Sequence, residues 1–247
     1  MVSRPIVKGP IHDLQSRKPA MKRSRRTHRW DLSPAAAIRL QKRLAAAVRV
    51  EPLKRRPNLV AGGDVSLTLD GHSLIAGWVL WDIKRKAVTE TAVEIRPATF
   101  PYVPGLLSFR EAPALLAAAR KLETKPDVLL LDGQGMAHPR RFGLACHIGL
   151  LMDRPAAGCA KSRLCGSHRE PGPRRGASRR LIHNGEVIGR VLRTRDGVNP
   201  IYISIGHAIT LDDAVKLTLR CCENYRLPEP TRLAHQLVTR RRKADDL

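Results

Sequence analysis

Hydrophobic and polar positions change period several times along the chain, and each change marks an element. Ser33 and Pro34 supply an N-cap and a first-turn proline, and Ile38, Leu40, Leu44, Ala47 and Val48 recur at roughly helical spacing, which predicts a helix to about Val50. Three strand-like segments follow, Leu59–Leu67, Ser73–Asp82 and Ala87–Ile95. Asp70-Gly71 and the charged stretch 82–86 separate them, and both read as hairpin turns, so the three segments form an antiparallel meander. Beyond the Pro97–Gly105 loop an Ala/Leu-rich helix ends near Lys121. The run Val128–Leu131 is apolar without alternation, as in buried parallel strands. The remaining pattern is a helix over about Pro139–Met152, a strand near Ala156–Cys159, and a Pro/Gly/Arg-rich excursion over Ser167–Arg180. Strands around Glu186–Arg193 and Ile201–Ser204 come next, then a helix capped by Thr210 to about Glu223 and a last helix starting near Pro230. A meander followed by α/β alternation implies an α/β fold, a mixed sheet with helices packed on its faces.

Charge changes the picture from fold to partner. Lys and Arg number 45 against 22 Asp and Glu, a net charge of +23 in 247 residues. Such an excess favours a polyanion, because each phosphate contact releases condensed counterions. Residues 1–30 hold nine basic side chains and one acid with almost no apolar period, so they read as a flexible basic arm outside the fold. Residues 239–247 read as a charged tail, leaving 31–238 as one domain. No stretch approaches the roughly 18 apolar residues of a membrane span, and no secretory h-region opens the chain, so a cytoplasmic protein is expected. Five cysteines without paired CxxC spacing argue against a disulfide framework and a zinc ribbon.

Against this basic background a few residues carry chemistry. Asp64 sits inside the apolar strand VAGGDVS, where a carboxylate is costly unless paired or bound to a cation. Asp132 ends the run Val128–Leu131 and opens the turn Gly133-Gln134-Gly135, at the carboxyl end of a strand where sites gather in α/β sheets. If these strands are neighbours the two carboxylates converge, as in sites that hold Mg²⁺ for phosphoryl transfer; otherwise each merely caps a turn. Glu111 completes a Ser-x-x-Glu pattern with Ser108, which reads as a capping box. Pro113 opposes that reading, since a helix starting with Pro113 near its first turn would leave Glu111 free to join the two aspartates. Tyr102 lies between Pro101 and Pro104 beside Val103, in a stiff loop whose tip suits either insertion between bases or core packing. Lys161 stands at a strand end, where a lone lysine is usually solvated. His138 and His147 lie on or near one helix, too far apart to share a metal, and His235 lies on the last helix.

The stretches AGGDVSL (61–67), PYVPGLLSFREAP (101–113), LDGQGMAHPRRFGLACHIGLL (131–151), GCAKSRLCG (158–166), GRVLRTRDGVNPIYISIGH (189–207) and RLPEPTRLAH (226–235) occur in the order found in one family. Together they resemble the endonuclease V family, or deoxyinosine 3′ endonucleases, over about residues 33–236. The resemblance implies a ribonuclease H-like fold and Mg²⁺-dependent hydrolysis, with Mn²⁺ an expected substitute. The implied substrate is DNA containing deaminated bases, chiefly hypoxanthine, cut at the second phosphodiester 3′ to the lesion to leave 3′-hydroxyl and 5′-phosphate ends. By motif it implies Asp64 and Asp132 as metal ligands, Glu111 as the third carboxylate, Lys161 as the active-site lysine and His235 as a histidine near the site. Pro101, Tyr102, Val103 and Pro104 match the wedge, His138 a histidine associated with substrate, and Gly133 belongs to the backbone-built base pocket. Gln134 stands where the family usually has His, Leu67 where it has Phe, and Gly63 where it has Val or Ile. A monomer without membrane attachment is expected. Two rival readings are an inosine-specific ribonuclease on single-stranded RNA and a non-catalytic basic nucleic-acid binder.

Overall fold

The computed structural model describes residues 28–244. One eight-stranded sheet organises them, in the order β3-β2-β1-β4-β5-β8-β7-β6. Strands β1 (Leu59–Leu67), β2 (Ser73–Asp82) and β3 (Ala87–Pro97) form the expected antiparallel meander. β4 (Val128–Leu131) pairs parallel with β1, and β5 (Ala156–Ala160) parallel with β4. β8 (Ile201–His207), β7 (Glu186–Leu192) and β6 (Ser178–His183) then continue antiparallel to the far edge. The mixed sheet read from the sequence is thus the sheet observed.

Helices cover both faces and explain why β4 is apolar throughout. Leu129 and Leu131 pack with Leu115 of α2 (Leu107–Ala119) and Ile148 of α3 (Leu144–Met152). Val128 and Leu130 face the other way, onto Ala214 and Leu217 of α4 (Leu211–Cys221). A strand buried on both faces has no polar position to alternate. α5 (Glu229–Ala244) lies over β1 and β2. Among the described residues no helix is long and apolar enough to cross a membrane. Two predicted caps are present: the Ser33 hydroxyl accepts from the Ala36 amide at the start of α1 (Pro34–Ala45), and Thr210 accepts from the Asp213 amide at the start of α4.

Several boundaries differ from the sequence pattern. α1 ends at Ala45 rather than near Val50. Only Leu144–Met152 of the segment expected to be helical from Pro139 is helix. Residues 139–143 form a turn in which Arg141 takes a left-handed φ of 57°, held by bonds from its guanidinium to the His138 and His183 carbonyls. β6 begins in the last three residues of the stretch read as an excursion, runs on to His183, and joins β7 through Asn184-Gly185, whose φ values of 54° and 79° are those of a tight hairpin turn. Pro113 sits inside α2, not at its start, so the Phe109 carbonyl loses its ordinary helical donor. Burial of Ala112, Leu115 and Ala118 on the sheet, and of Phe109 against α1 and the loop before α2, compensates for the break. Residues 1–27 of the expected arm lie outside the described residues. His28 and Trp30 at its end are packed, with Trp30 against Phe109 and His28 bonded to His147. Residues 239–244 continue α5, and 245–247 lie outside the described residues.

Candidate active site

Strand register brings the first two carboxylates together. β1 and β4 run parallel with Gly63 opposite Leu131, and the Asp132 amide donates to the Gly63 carbonyl at 3.1 Å. The next position on each strand is Asp64 and Asp132. Asp64 is 8% exposed, and Asp132 is half-buried at the strand's carboxyl end. Their convergence follows from the pairing of strands more than 60 residues apart in the chain, which local sequence does not encode.

Two further elements close on this pair. α5 approaches β1 so tightly at Gly62 that a Cβ there would lie 2.1 Å from the Pro230 carbonyl carbon. Glycine at 62 therefore lets the start of α5 rest on the strand and carry His235 over the site, where its Nδ1 lies 2.8 Å from Asp64 Oδ2. Lys161 directly follows β5, and β5 lies beside β4 with Gly158 opposite Leu131. This places Lys161 Nζ 2.5 Å from Asp132 Oδ2, while Arg226 holds the Lys161 carbonyl at 2.8 Å.

Glu111 comes from α2. The capping-box reading of this residue does not hold: α2 starts after Leu106 without a side-chain cap, and the Ser108 hydroxyl contacts His147 Nδ1 at 3.1 Å. Freed from that role, the Glu111 carboxyl is pushed up to about 8, first by burial and then by the charges of Asp64 and Asp132. Asp64 is likewise raised, by burial and by Asp132, against the lowering effect of its bond with His235. Burial and the neighbouring aspartates thus hold protons on Glu111 and Asp64, and a cation placed beside them relieves the repulsive part of that effect. Ligand atoms of Asp64, Asp132 and His235 all lie within 4.8 Å of one another.

Beside the carboxylates is a cavity of about 360 Å³, at the small end of the ligand-pocket range of about 300–1,000 Å³. Asp132 and Lys161 line it on one side, Gly133 and Gln134 on another, and Tyr102, Val103 and Pro104 on a third. Tyr102 is 71% exposed, which excludes the core-packing alternative for this ring. The loop behind it is anchored. Phe100 and Leu106 are buried with Phe109, Ala37 and Leu40, with Val103 packed alongside. The Gly105 carbonyl accepts from Gln41 Nε2 at 3.0 Å and Arg140 Nη2 at 2.7 Å, and His138 Nε2 stands at 3.0 Å from it.

His138 has one ring nitrogen committed to that carbonyl, while the other, Nδ1, accepts from the Arg140 amide at 3.0 Å. The two contacts together fix the Nε2–H tautomer. Burial, aided by Arg140, lowers the ring to about 4, so it stays neutral near pH 7. It lines the cavity as a neutral brace of the Tyr102 loop. Gln41 and Arg140, which bond each other and share this brace, were not evident from the sequence, because a glutamine on a polar-looking helix and one arginine among many carry no local signal. His147 lies fully buried away from the carboxylates, between Ser108 and His28.

Comparison with known proteins agrees with this arrangement. The family model for Endonuclease V matches residues 42–236. Endonuclease V of Nostoc punctiforme is 47% identical over 215 residues, covering 87% of this chain and 97% of that protein. The crystal structure of Endonuclease V from Streptomyces avermitilis superposes with a TM-score of 0.84 at 38% identity, over 88% of this chain and 96% of that one. A Ciona intestinalis Endonuclease V, solved in complex with DNA containing an inosine followed by a ribo-adenosine, has the same fold at a TM-score of 0.73 and 24% identity, over 85% of this chain and 98% of that one. The matched span contains Asp64, Tyr102, Glu111, Asp132, Lys161 and His235, and with near-complete coverage of relatives at this identity, the chain belongs to the endonuclease V family.

Proposed function

We propose that this protein is a Mg²⁺-dependent DNA-repair endonuclease. It recognises deaminated bases, chiefly hypoxanthine, and hydrolyses the second phosphodiester 3′ to the lesion, leaving 3′-hydroxyl and 5′-phosphate ends. The observation that carries this reading is the side-by-side placement of Asp64 and Asp132 by the parallel β1–β4 register, next to a cavity edged by an exposed tyrosine. The inosine-containing DNA bound by the Ciona relative supports the choice of lesion.

The donor set fits magnesium. Two aspartate oxygens close together suit a small hard cation that keeps part of its hydration shell, and Asp64 and Glu111, raised first by burial and then by neighbouring carboxylates, would be eased by a positive charge there. Asp64 and Asp132 would hold the ion, which when bound supplies Lewis-acid polarisation of a phosphoryl oxygen and a more acidic water. His235 donates from Nδ1 to Asp64 and fixes the orientation of that carboxylate. Glu111, recessed on α2, orients the attacking water through its carboxyl group. Lys161, ion-paired with Asp132 in the resting site, offsets negative charge that develops on the phosphate and leaving oxygen. Tyr102 occupies the space left in the duplex when the base turns out, and the base enters the cavity bounded by Gly133, Gln134 and the Pro101–Pro104 loop.

The test is a nicking assay on three matched substrates: a duplex with one deoxyinosine, the same duplex without it, and a single-stranded RNA with one inosine. Each is run with Mg²⁺ and with EDTA, and the ends are mapped. Nicking of the deoxyinosine duplex alone, only with Mg²⁺ and one nucleotide beyond the 3′ neighbour bond, is expected. Cleavage of the RNA in preference to the duplex, or equal cleavage in EDTA, would overturn the reading.

A further inference from the structure

At the sheet edge opposite the meander, the β6–β7 hairpin forms one wall of an open groove of about 560 Å³ lined by Arg169, Arg179, Arg180, Arg190 and His168. The groove holds none of the carboxylates discussed above. Arg169, Arg179 and Arg180 are exposed and have no carboxylate partner among the described residues. The acids nearby are engaged elsewhere, Glu170 with Arg193, Glu186 with Arg141 and Asp212 with Arg190. Arg180 and Arg190 stand directly opposite each other across β6 and β7. Like charges in that position destabilise a strand pair; Asp212 answers Arg190, while Arg180 is left without a carboxylate partner among the described residues. A guanidinium offers a planar fork suited to phosphate oxygens.

The register ties this groove to the active site. Ala160, the residue before Lys161, is opposite Tyr202 on β8; Tyr202 is opposite Val191 on β7; Val191 is opposite Arg179 on β6. Three strand spacings of about 4.8 Å put the Arg179 backbone roughly 14 Å from Ala160. A duplex rises about 3.4 Å per base pair, so that span corresponds to about four base pairs of a substrate whose scissile phosphate lies at Lys161 and Asp132.

We propose that the β6–β7 hairpin is a second nucleic-acid contact, in which Arg169, Arg179 and Arg180 grip the phosphodiester backbone of the substrate duplex about four base pairs from the scissile bond. This rests on the endonuclease reading above, but it concerns binding and is measured without cleavage. The contact is independent of base sequence and of the lesion, and it serves to hold undamaged flanking DNA while the cavity samples bases.

The experiment compares the whole protein with the triple variant Arg169→Gln/Arg179→Gln/Arg180→Gln and with the triple Arg→Lys variant. Fluorescence anisotropy follows binding to hairpin-closed duplexes whose flank on one side or the other of the inosine is either about two or about ten base pairs, with a plain duplex alongside. The Gln variant is expected to lower the slope of log K against log salt by about 2 to 3. It therefore loses roughly 16- to 64-fold less affinity between 50 and 200 mM salt than the wild type. It should also abolish the affinity gained by lengthening one flank, and only one. The Lys variant should restore most of both, and nicking of the short-flank substrate at saturating enzyme should stay unchanged. If the Gln variant keeps the wild-type slope and flank dependence while folding normally, the arginines only guard an edge strand against pairing and the proposal fails. Absence of nicking in every protein, with the slope difference intact on plain duplex, would instead count against the endonuclease reading alone.

Discussion

Glu111→Gln should stabilise the metal-free protein at neutral and alkaline pH and flatten its stability profile. In the native site burial and the charges of Asp64 and Asp132 push the Glu111 carboxyl from 4.5 up to about 8. Between those values the unfolded chain has released the proton and the native chain still binds it. Stability from this group is therefore fully present below about pH 4.5 and is lost as pH rises through 8. At about 1.4 kcal/mol per pH unit, the ceiling at pH 8 is about 5 kcal/mol. Partial exposure of the side chain brings the expected difference nearer 2 kcal/mol, or about 4–8 °C in melting temperature for a domain of this size. The glutamine keeps the shape and removes the titration. Melting curves of both proteins in EDTA at pH 5, 6, 7 and 8 read the effect as a gap that opens with pH. His138 and His147, whose lowered pKa values make acid destabilising, act equally in both proteins and cancel in the comparison. Excess Mg²⁺ should close the gap by stabilising the wild type more than the variant. Parallel curves for wild type and variant from pH 5 to 8 in EDTA would refute the view that three carboxyl groups share one electrostatic site.

Other substitutions separate the roles of the surrounding residues. Lys161→Met should lower kcat by about 10²- to 10³-fold while leaving Mg²⁺ binding, measured by calorimetry, as tight or tighter, because Asp132 loses a competing cation. Tyr102→Ala removes an exposed ring, so melting should stay within about 0.5 kcal/mol of wild type, while the ratio of affinities for inosine and plain duplexes falls. His28→Ala leaves the buried His147 Nε2 without its partner and should cost about 1–3 kcal/mol in chemical denaturation. No change there would mean that the His28–His147 contact contributes nothing to stability.

What the sequence made legible was local. β1, β2 and β4 announce themselves as apolar runs bounded by turn residues, and an aspartate inside or at the end of such a run stands out because its burial needs a partner. That Asp64 and Asp132 are neighbours rests on a parallel pairing across the chain, and Lys161 reaches Asp132 only because β5 lies beside β4. β6 escaped because an edge strand bearing Arg179, Arg180 and His183 lacks the apolar alternation of a half-buried strand, although Asn184-Gly185 carried the hairpin signal. Pro113 misled for the opposite reason. The local rule places proline in the first turn, while the packing of Phe109 and Leu115, whose carbonyl accepts from Trp78 Nε1 at 2.8 Å, holds a helix through it. Basic residues around His28 and Trp30 likewise masked two rings that pack with Phe109 and His147.

The most direct test of the paired-aspartate metal centre is the single-turnover nicking rate of Asp132→Ala on a deoxyinosine duplex, titrated with Mg²⁺ beside the wild type. Removing one of two carboxylate ligands should cut the rate by at least about 10²-fold and push the Mg²⁺ requirement to much higher concentration, with the melting temperature in EDTA unchanged or raised. A variant that nicks at the wild-type rate with the wild-type Mg²⁺ dependence would contradict it.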